Sequence, residues 1–380
     1  MQRTYFDHNA TTRLDPSVLN VMLPFLADNY GNPSSIHWFG RDARRALDTA
    51  RRHTADLIGA EPEEIVFTSG GTESDNQAIL GIACLLRDRG DRIITTAIEH
   101  QAVLNSCLHL QQMGFRITFL PVDSEGRIDP SDLEHALDKD VILVSIMHAN
   151  NETGTIQPLR AAASIARARG VLFHTDAVQA AGRIPIDVNK LGVDLLSLSG
   201  HKIHGPKGSG ALFVRRGIQP PVLIHGGHHE HGRRAGTENV PAIAGLGEAC
   251  RLAKERLPET ARVTGMLRER LEKGILGQIN PALVNGSLES RLPNTLNVSF
   301  PGLDGQFLAI NLDLMGIAVS TGSACHAESR EPSYVLKAMG RSDEEASCCI
   351  RFSLGHENTV DEVDRVVAAL NQVIKDLRAV

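Results

Sequence analysis

Val141-Ile-Leu-Val-Ser-Ile146 carries apolar side chains on both faces, as a parallel strand covered by helices above and below must. Working outward, similar short runs stand at 93–96, 116–120, 171–175, 194–198 and 210–214, mostly separated by segments with helical spacing. Ile65-Val-Phe-Thr68 is a further short strand, and Ala78, Ile79, Ile82, Ala83, Leu85 and Leu86 mark an amphipathic helix after it. Asp15-Pro16 reads as N-cap and first helical position of a helix to about Ala27, and 43–58 repeats the helical spacing between arginines. The alternation predicts an open α/β sheet that binds its ligand beyond the carboxyl ends of the strands.

Near residue 240 the rhythm changes. Two long helical patterns, about 239–256 and 259–275, lead into predicted strands at 294–300, 317–320 and 349–354, and a closing helix over 359–377. These imply a large domain over 15–259 and a small α+β domain over 260–380, with residues 1–14 packing on the second.

Composition narrows the function. At 42% apolar and 22% charged residues, the 380-residue chain has the balance of a soluble globular protein. Aromatics are only 4%, too few for base-stacking platforms, and a formal charge of -6 without a basic stripe opposes a phosphate-backbone binder. No run approaches a membrane span, and the first residues lack a secretory core, so a cytoplasmic location is the expectation. The six cysteines, at 84, 107, 250, 325, 348 and 349, form no Cys-x-x-Cys pair. One or two should carry chemistry, and the rest should be small buried apolar groups.

Four stretches carry candidate chemistry. Thr68-Ser-Gly-Gly-Thr72 lies between a strand and a helix, where glycines and a helix N-terminus can cradle an anion. It also reads as a plain turn with Thr72 as N-cap, Glu73 and Asp75 complementing the helix dipole. His174-Thr-Asp176-Ala-Val-Gln179 puts a carboxylate at the end of a buried strand, where it needs a cationic or donating partner unless it merely caps a helix. Ser199-Gly-His-Lys202 sets a lysine directly after an apolar strand among small residues and imidazoles: most lysines are solvated, but desolvation in this setting would lower its pKa and suit it to Schiff-base formation. Ser320-Thr-Gly-Ser-Ala-Cys325-His326 ends a small-residue run, which predicts a mobile, exposed loop, in a cysteine that reads equally as incidental or as reactive, its neighbouring imidazole favouring the thiolate. Cys348 and Cys349 open an apolar strand and read as core filler. Lysine, aspartate and anion cradle together fit pyridoxal phosphate, with His100, after another strand end, as the side chain lying over the ring.

In their order, these stretches resemble the cysteine desulfurases of the NifS/IscS type, in the class V branch of fold-type-I pyridoxal-phosphate enzymes. The resemblance also rests on Tyr5-Phe-Asp-His-Asn-Ala-Thr-Thr12, Gly31-Asn-Pro-Ser-Ser35, Ala149-Asn-Asn-Glu-Thr-Gly154, Arg234-Ala-Gly-Thr-Glu-Asn239 and Arg351-Phe-Ser-Leu-Gly355. It implies the transferase fold of that group, with a mostly parallel seven-stranded sheet in the large domain. It implies that Lys202 holds pyridoxal phosphate covalently, Asp176 keeps the ring nitrogen protonated, Gln179 bonds the ring hydroxyl and His100 stacks on the ring. Gly71, Thr72, Ser199, Gly200 and His201 would hold the phosphate, joined by Thr237 from the neighbouring subunit of a homodimer. Asn151 would lie by cofactor and substrate, and Arg351 would pair with the carboxylate of L-cysteine. Cys325 would take the sulfur as a persulfide, leaving L-alanine, and pass it to an iron–sulfur scaffold or another acceptor protein. No resident metal is implied; Cys325 would at most touch a cluster on a partner.

Gly226-Gly-His-His-Glu-His-Gly232 departs from the family, with His229 where relatives often carry glutamine and His225, His228 and His231 around it. Four imidazoles in seven residues suit a transition metal, but the retained glycines favour a loop at the active-site rim. Thr321 and His326 also differ from the commonest neighbours of the nucleophile. Competing readings are a selenocysteine lyase or cysteine sulfinate desulfinase on the same scaffold, a transaminase, and a catalytically dead metal-binding assembly protein. A dehydrogenase lacks its glycine fingerprint, and no nucleic-acid or membrane partner is expected.

Overall fold

A computed structural model describes residues 3–220, 222–321 and 331–378. In chain order the first part comprises β1 (Thr4–Tyr5), α1 (Pro16–Leu26), α2 (Trp38–Ile58), β2 (Ile65–Thr68), α3 (Gly71–Leu85), β3 (Arg92–Thr96), α4 (Gln101–Gln112), β4 (Arg116–Leu120) and α5 (Pro130–Ala136). Then come β5 (Val141–Ser145), α6 (Leu159–Ala168), β6 (Leu172–Asp176), α7 (Val188–Leu191), β7 (Leu195–Ser199) and β8 (Gly210–Val214). The remainder is α8 (Val240–Gln278), β9 (Leu283–Asn285), β10 (Thr295–Ser299), α9 (Gly305–Leu314), β11 (Ile317–Ala318), α10 (Tyr334–Ala338), α11 (Asp343–Ser347), β12 (Cys349–Ser353) and α12 (Val360–Arg378).

Seven strands form one sheet in the order β2-β8-β7-β6-β5-β3-β4, parallel except that β8 runs against both of its neighbours. Every residue of β5, β7 and β8 is buried, which explains why their sequences alternate so little. A second core gathers Phe6, Leu271, Val298, Phe352 and Leu370 around the three-stranded antiparallel sheet β12-β10-β9. The chain start belongs to this core: β1 pairs in parallel with β11, and Phe6 is wholly buried.

The two long helical patterns around Pro258 are a single 39-residue helix, α8, which the expected boundary at 259/260 divides in mid-course. Proline removes one helical hydrogen bond, to the carbonyl of Lys254. Both Lys254 and Pro258 are exposed, so the carbonyl that loses its partner is not confined to a dry core, and the helix continues. Cys84 is exposed rather than buried filler, whereas Cys107, Cys250, Cys348 and Cys349 are buried as expected.

Candidate active site

The carboxyl ends of β2, β6 and β7, with the turn before α4, converge on one pocket. It is lined by Gly71, Thr72, His100, Asn151, Asp176, Gln179, Ser199, His201 and Lys202, together with Ala10, Asp75, Met147, Ala149 and Val178. Nine of the expected site residues thus meet in space although 131 positions separate Gly71 from Lys202.

The floor is acidic. Asp176 ends β6, and its Oδ1 accepts the Val178 N–H at 2.9 Å. Burial raises its carboxyl above the ordinary range, while the charges of His100 and Lys202 pull it back. Just before α4, Glu99 accepts from the Met147 N–H at 2.9 Å and the Thr96 hydroxyl at 2.7 Å, and burial pushes it up to about 8. His100 is the N-cap of α4: its Nδ1 accepts from the Ala102 N–H at 3.1 Å, which fixes the ring and leaves Nε2 to carry the proton of the neutral form.

One wall belongs to the chain start. Lys202 Nζ donates to the carbonyls of Asn9 at 2.6 Å and Ala10 at 2.8 Å. Asn9 ties that segment to the second core through the hydroxyls of Ser353, 2.9 Å, and Thr295, 3.0 Å, and to the Asn151 carbonyl at 3.1 Å. Gln179 donates to the Asn9 carbonyl at 3.0 Å while its own side-chain oxygen accepts from Arg183, so neighbours on both sides fix the amide. Asn151 Oδ1 is buried with no partner, an acceptor placed for a donor that the protein itself does not supply.

The cradle is the start of α3. Its N-cap is Gly70, without a side-chain cap, so Thr72 sits in the first turn instead of capping it. The N–H groups of Gly71 and Thr72 therefore have no helical acceptor. Backbones crowd here: a Cβ on Gly210 would lie 2.5 Å from the Gly70 Cα, and one on Gly71 would lie 2.8 Å from Val178 Cγ2. Glu73 answers the helix dipole, bonding the Ser69 N–H at 2.8 Å and pairing with Arg234 at 2.9 Å. Asp75 does not. It turns inward and is buried in the pocket lining.

Some expected residues lie apart. The Gly200 N–H is committed to the Ser209 carbonyl at 2.9 Å, and Gly200 does not line the pocket. Thr237 is exposed and also outside the lining. Arg351, on β12, is 2% exposed; it donates to Asp7 Oδ1 at 2.8 Å and to the Asn151 carbonyl at 3.1 Å. Cys325 and His326 lie outside the described residues. In the histidine loop, Glu230 is buried and forks onto Arg51, with contacts at 2.6 and 2.8 Å, while accepting the Phe67 N–H at 2.9 Å. Among the described residues, the group that could hold a metal ion is Asp75, His100 and Asp176, not the loop histidines.

Sequence reasoning missed Asp7, Asn9, Ala10 and Asp75. The first three stand in a stretch that carries no chemical signal of its own, and the fourth was assigned to the helix dipole.

Comparisons with known proteins agree on one family. The sequence matches the family described as Aminotransferase class-V over residues 4–366. A cysteine desulfurase IscS of Methanosarcina thermophila is 50% identical over 374 residues, covering 98% of this chain and 92% of its own. A solved NifS-like protein superposes with a TM-score of 0.93 at 42% identity, covering 98% of this chain and all of that one. A structure described as SspA in complex with cysteine superposes at 0.83 and 39% identity, covering 92% of this chain and 98% of that one.

Proposed function

The chain belongs to the class-V aminotransferase family, and from that membership and the pocket around Lys202 we infer that it is a cysteine desulfurase using pyridoxal phosphate. The observation that carries the reading is the convergence of an amine, a buried carboxylate, an oriented imidazole and uncapped helix N–H groups on a single pocket. That donor set fits the cofactor: Asn151 Oδ1 waits without a partner, and the glycine approach at Gly70, Gly71 and Gly210 leaves backbone donors open to an anion.

When bound, pyridoxal phosphate supplies an aldehyde for a primary amine and a protonated ring that accepts the electron pair released at the substrate Cα. Lys202 would be the amine that holds it, and Asp176 the carboxylate that would keep its ring nitrogen protonated. Gly71, Thr72, Ser199 and His201 hold its phosphate. His100, oriented by its cap bond, would stack on the ring, and Gln179, its amide fixed by Arg183, would bond the ring hydroxyl. Asn151 and Arg351 receive the substrate, with the guanidinium taking its carboxylate. Lys202 Nζ moves the proton at Cα. The Cys325 thiolate then attacks the substrate sulfur: an S–S bond forms as the Cβ–S bond breaks, and protonation of the carbon skeleton leaves L-alanine. The persulfide goes to an acceptor protein, for which iron–sulfur assembly is the fitting use. Thr237, exposed and outside its own pocket, completes the phosphate site of a second copy. No helix among the described residues is long and apolar enough to cross a membrane.

The test is anaerobic incubation with L-cysteine and a reductant, measuring sulfide and alanine together beside a Cys325→Ala variant. Equal amounts of both products, lost in the variant, are expected. Alanine formed independently of Cys325 would instead indicate a lyase of the selenocysteine or sulfinate type. Product from neither protein, with cofactor bound, would overturn the substrate.

A further inference from the structure

Lys202 also lines a second cavity, of about 60 Å³, and is the one lining residue that it shares with the pocket described above. Its walls come from the chain start, the turns after β6 and β7, the middle of α8 and the residues that follow β12.

Two buried groups of this lining lack what burial demands. Arg183 is 6% exposed, and its guanidinium donates to the carbonyls of Gln179 at 2.9 Å and His8 at 3.2 Å and to the Gln179 side-chain oxygen. All three acceptors are uncharged. Among the described residues no carboxylate pairs with Arg183, and the charge acting on it is that of another cation, Arg351. A guanidinium out of water ordinarily has a counter-charge. Its five N–H groups also exceed those three contacts by two. His8 is 4% exposed, and its Nδ1 is buried with no partner. In either tautomer a dry ring nitrogen needs a polar neighbour.

Other polar groups of the lining are already committed. Asp15 pairs with Arg256 at 2.7 Å, so those two charges cancel. His204 Nδ1 is bonded to the Arg13 carbonyl at 3.0 Å, and the Thr12 and Thr264 hydroxyls donate to the carbonyls of His201 and Thr260. Burial holds His8 down to about 3 and lowers His204 as well, so both rings are neutral; Glu357, which acts on His204, lies outside the lining. The uncancelled charge of the cavity is therefore positive. Its receptors are also fixed in place. The His8 ring meets Tyr5 edge-on, with centroids 5.0 Å apart, and packs on the Gly355 backbone so closely that a Cβ there would lie 2.4 Å from Cε1.

We propose that this cavity binds one small oxyanion, of the size and charge of sulfate, which pairs with Arg183 and meets His8 Nδ1. Oxygen-bearing anions match the remaining edge of a guanidinium. The inference goes beyond the desulfurase reading and does not depend on it, because the site is separate from the phosphate cradle at Gly71 and Thr72.

The test is equilibrium dialysis of the cofactor-loaded protein against radiolabelled sulfate, so that the cradle is already filled. Wild type should take up one sulfate per chain. Arg183→Met removes the charge and should weaken that binding by at least about tenfold, the worth of one charged hydrogen bond. Ala253→Met, from the half-buried wall on α8, leaves every polar group in place and should exclude the anion by filling its space. No uptake by wild type would overturn the proposal and leave the cavity to water. Unchanged uptake by Ala253→Met would place the sulfate elsewhere and overturn it equally. Should Arg183→Met not fold, Ala253→Met decides alone. Were the cofactor not taken up, the difference between wild type and Ala253→Met would still count this site, since both keep the cradle.

Discussion

Arg351 holds two neighbours and has one edge in reserve. One terminal nitrogen pairs with Asp7, the other with the Asn151 carbonyl, and the buried Nε has no partner. A planar fork can keep such contacts while turning an edge to a substrate carboxylate; a lysine has a single point of charge. Arg351→Lys should therefore raise KM for L-cysteine by roughly tenfold to a hundredfold, the worth of one or two charged hydrogen bonds, with kcat less affected. An equal fall in kcat with KM unchanged would remove Arg351 from substrate binding. Beside it, the Glu152 carboxyl accepts from the Ser333 hydroxyl at 2.5 Å, and burial pushes it up to about 7. This raised acid also destabilises the fold progressively between pH 4.5 and 7. Glu152→Gln keeps an acceptor for Ser333 and should gain on the order of 1–3 kcal/mol over wild type at pH 8, with little difference at pH 4. Thermal melts at the two pH values check it. Residues such as Lys202 and Asp176 were legible because a charged group beside an apolar strand has few uses. Asp75 was not, since an acid in a helix's first turn has an ordinary explanation, and only the rotation of α3 shows that it points inward.

Elements were legible where burial is symmetrical. Strand β5 declares itself through residues that are apolar on both faces, and the fully buried β2 and β8 fall at the expected bounds. Helix α8 was harder to read, because Leu257-Pro258 carries the signature of a break and the exposure of this turn is invisible in sequence. Its first half packs on α1 and α2 and its second on α12, so one helix joins both cores. Close approach to α2 depends on Gly247, where a Cβ would lie 2.4 Å from the Ala50 Cα. Alanine ordinarily gains about 1 kcal/mol over glycine inside a helix. Here the contact is backbone and cannot yield like a flexible side chain, so Gly247→Ala should lower stability by about 1–3 kcal/mol. A raised melting temperature would show that the helices can separate without loss.

For the whole molecule, the surface before α2 is out of keeping with a single chain. Ile36 is 92% exposed, and Tyr30 and Trp38 are largely so, with Tyr30, His37 and Trp38 gathered around Phe39. On α1, Leu19, Leu23 and Leu26 are exposed as well. Apolar groups concentrated in this way mark an interaction surface. The occupant we expect is a second copy, because Thr237 has no role in its own chain's pocket and would gain one in a partner's. On the proposed reading, assembly and cofactor binding would be coupled, since each pocket would gain its last phosphate donor only when two copies meet. Ile36→Glu with Trp38→Glu should split the dimer in sedimentation and weaken retention of pyridoxal phosphate, while Thr237→Ala should weaken retention and leave the dimer whole. A wild type that sediments as a monomer with full desulfuration would break the coupling. So would a split variant that holds the cofactor as tightly as the dimer.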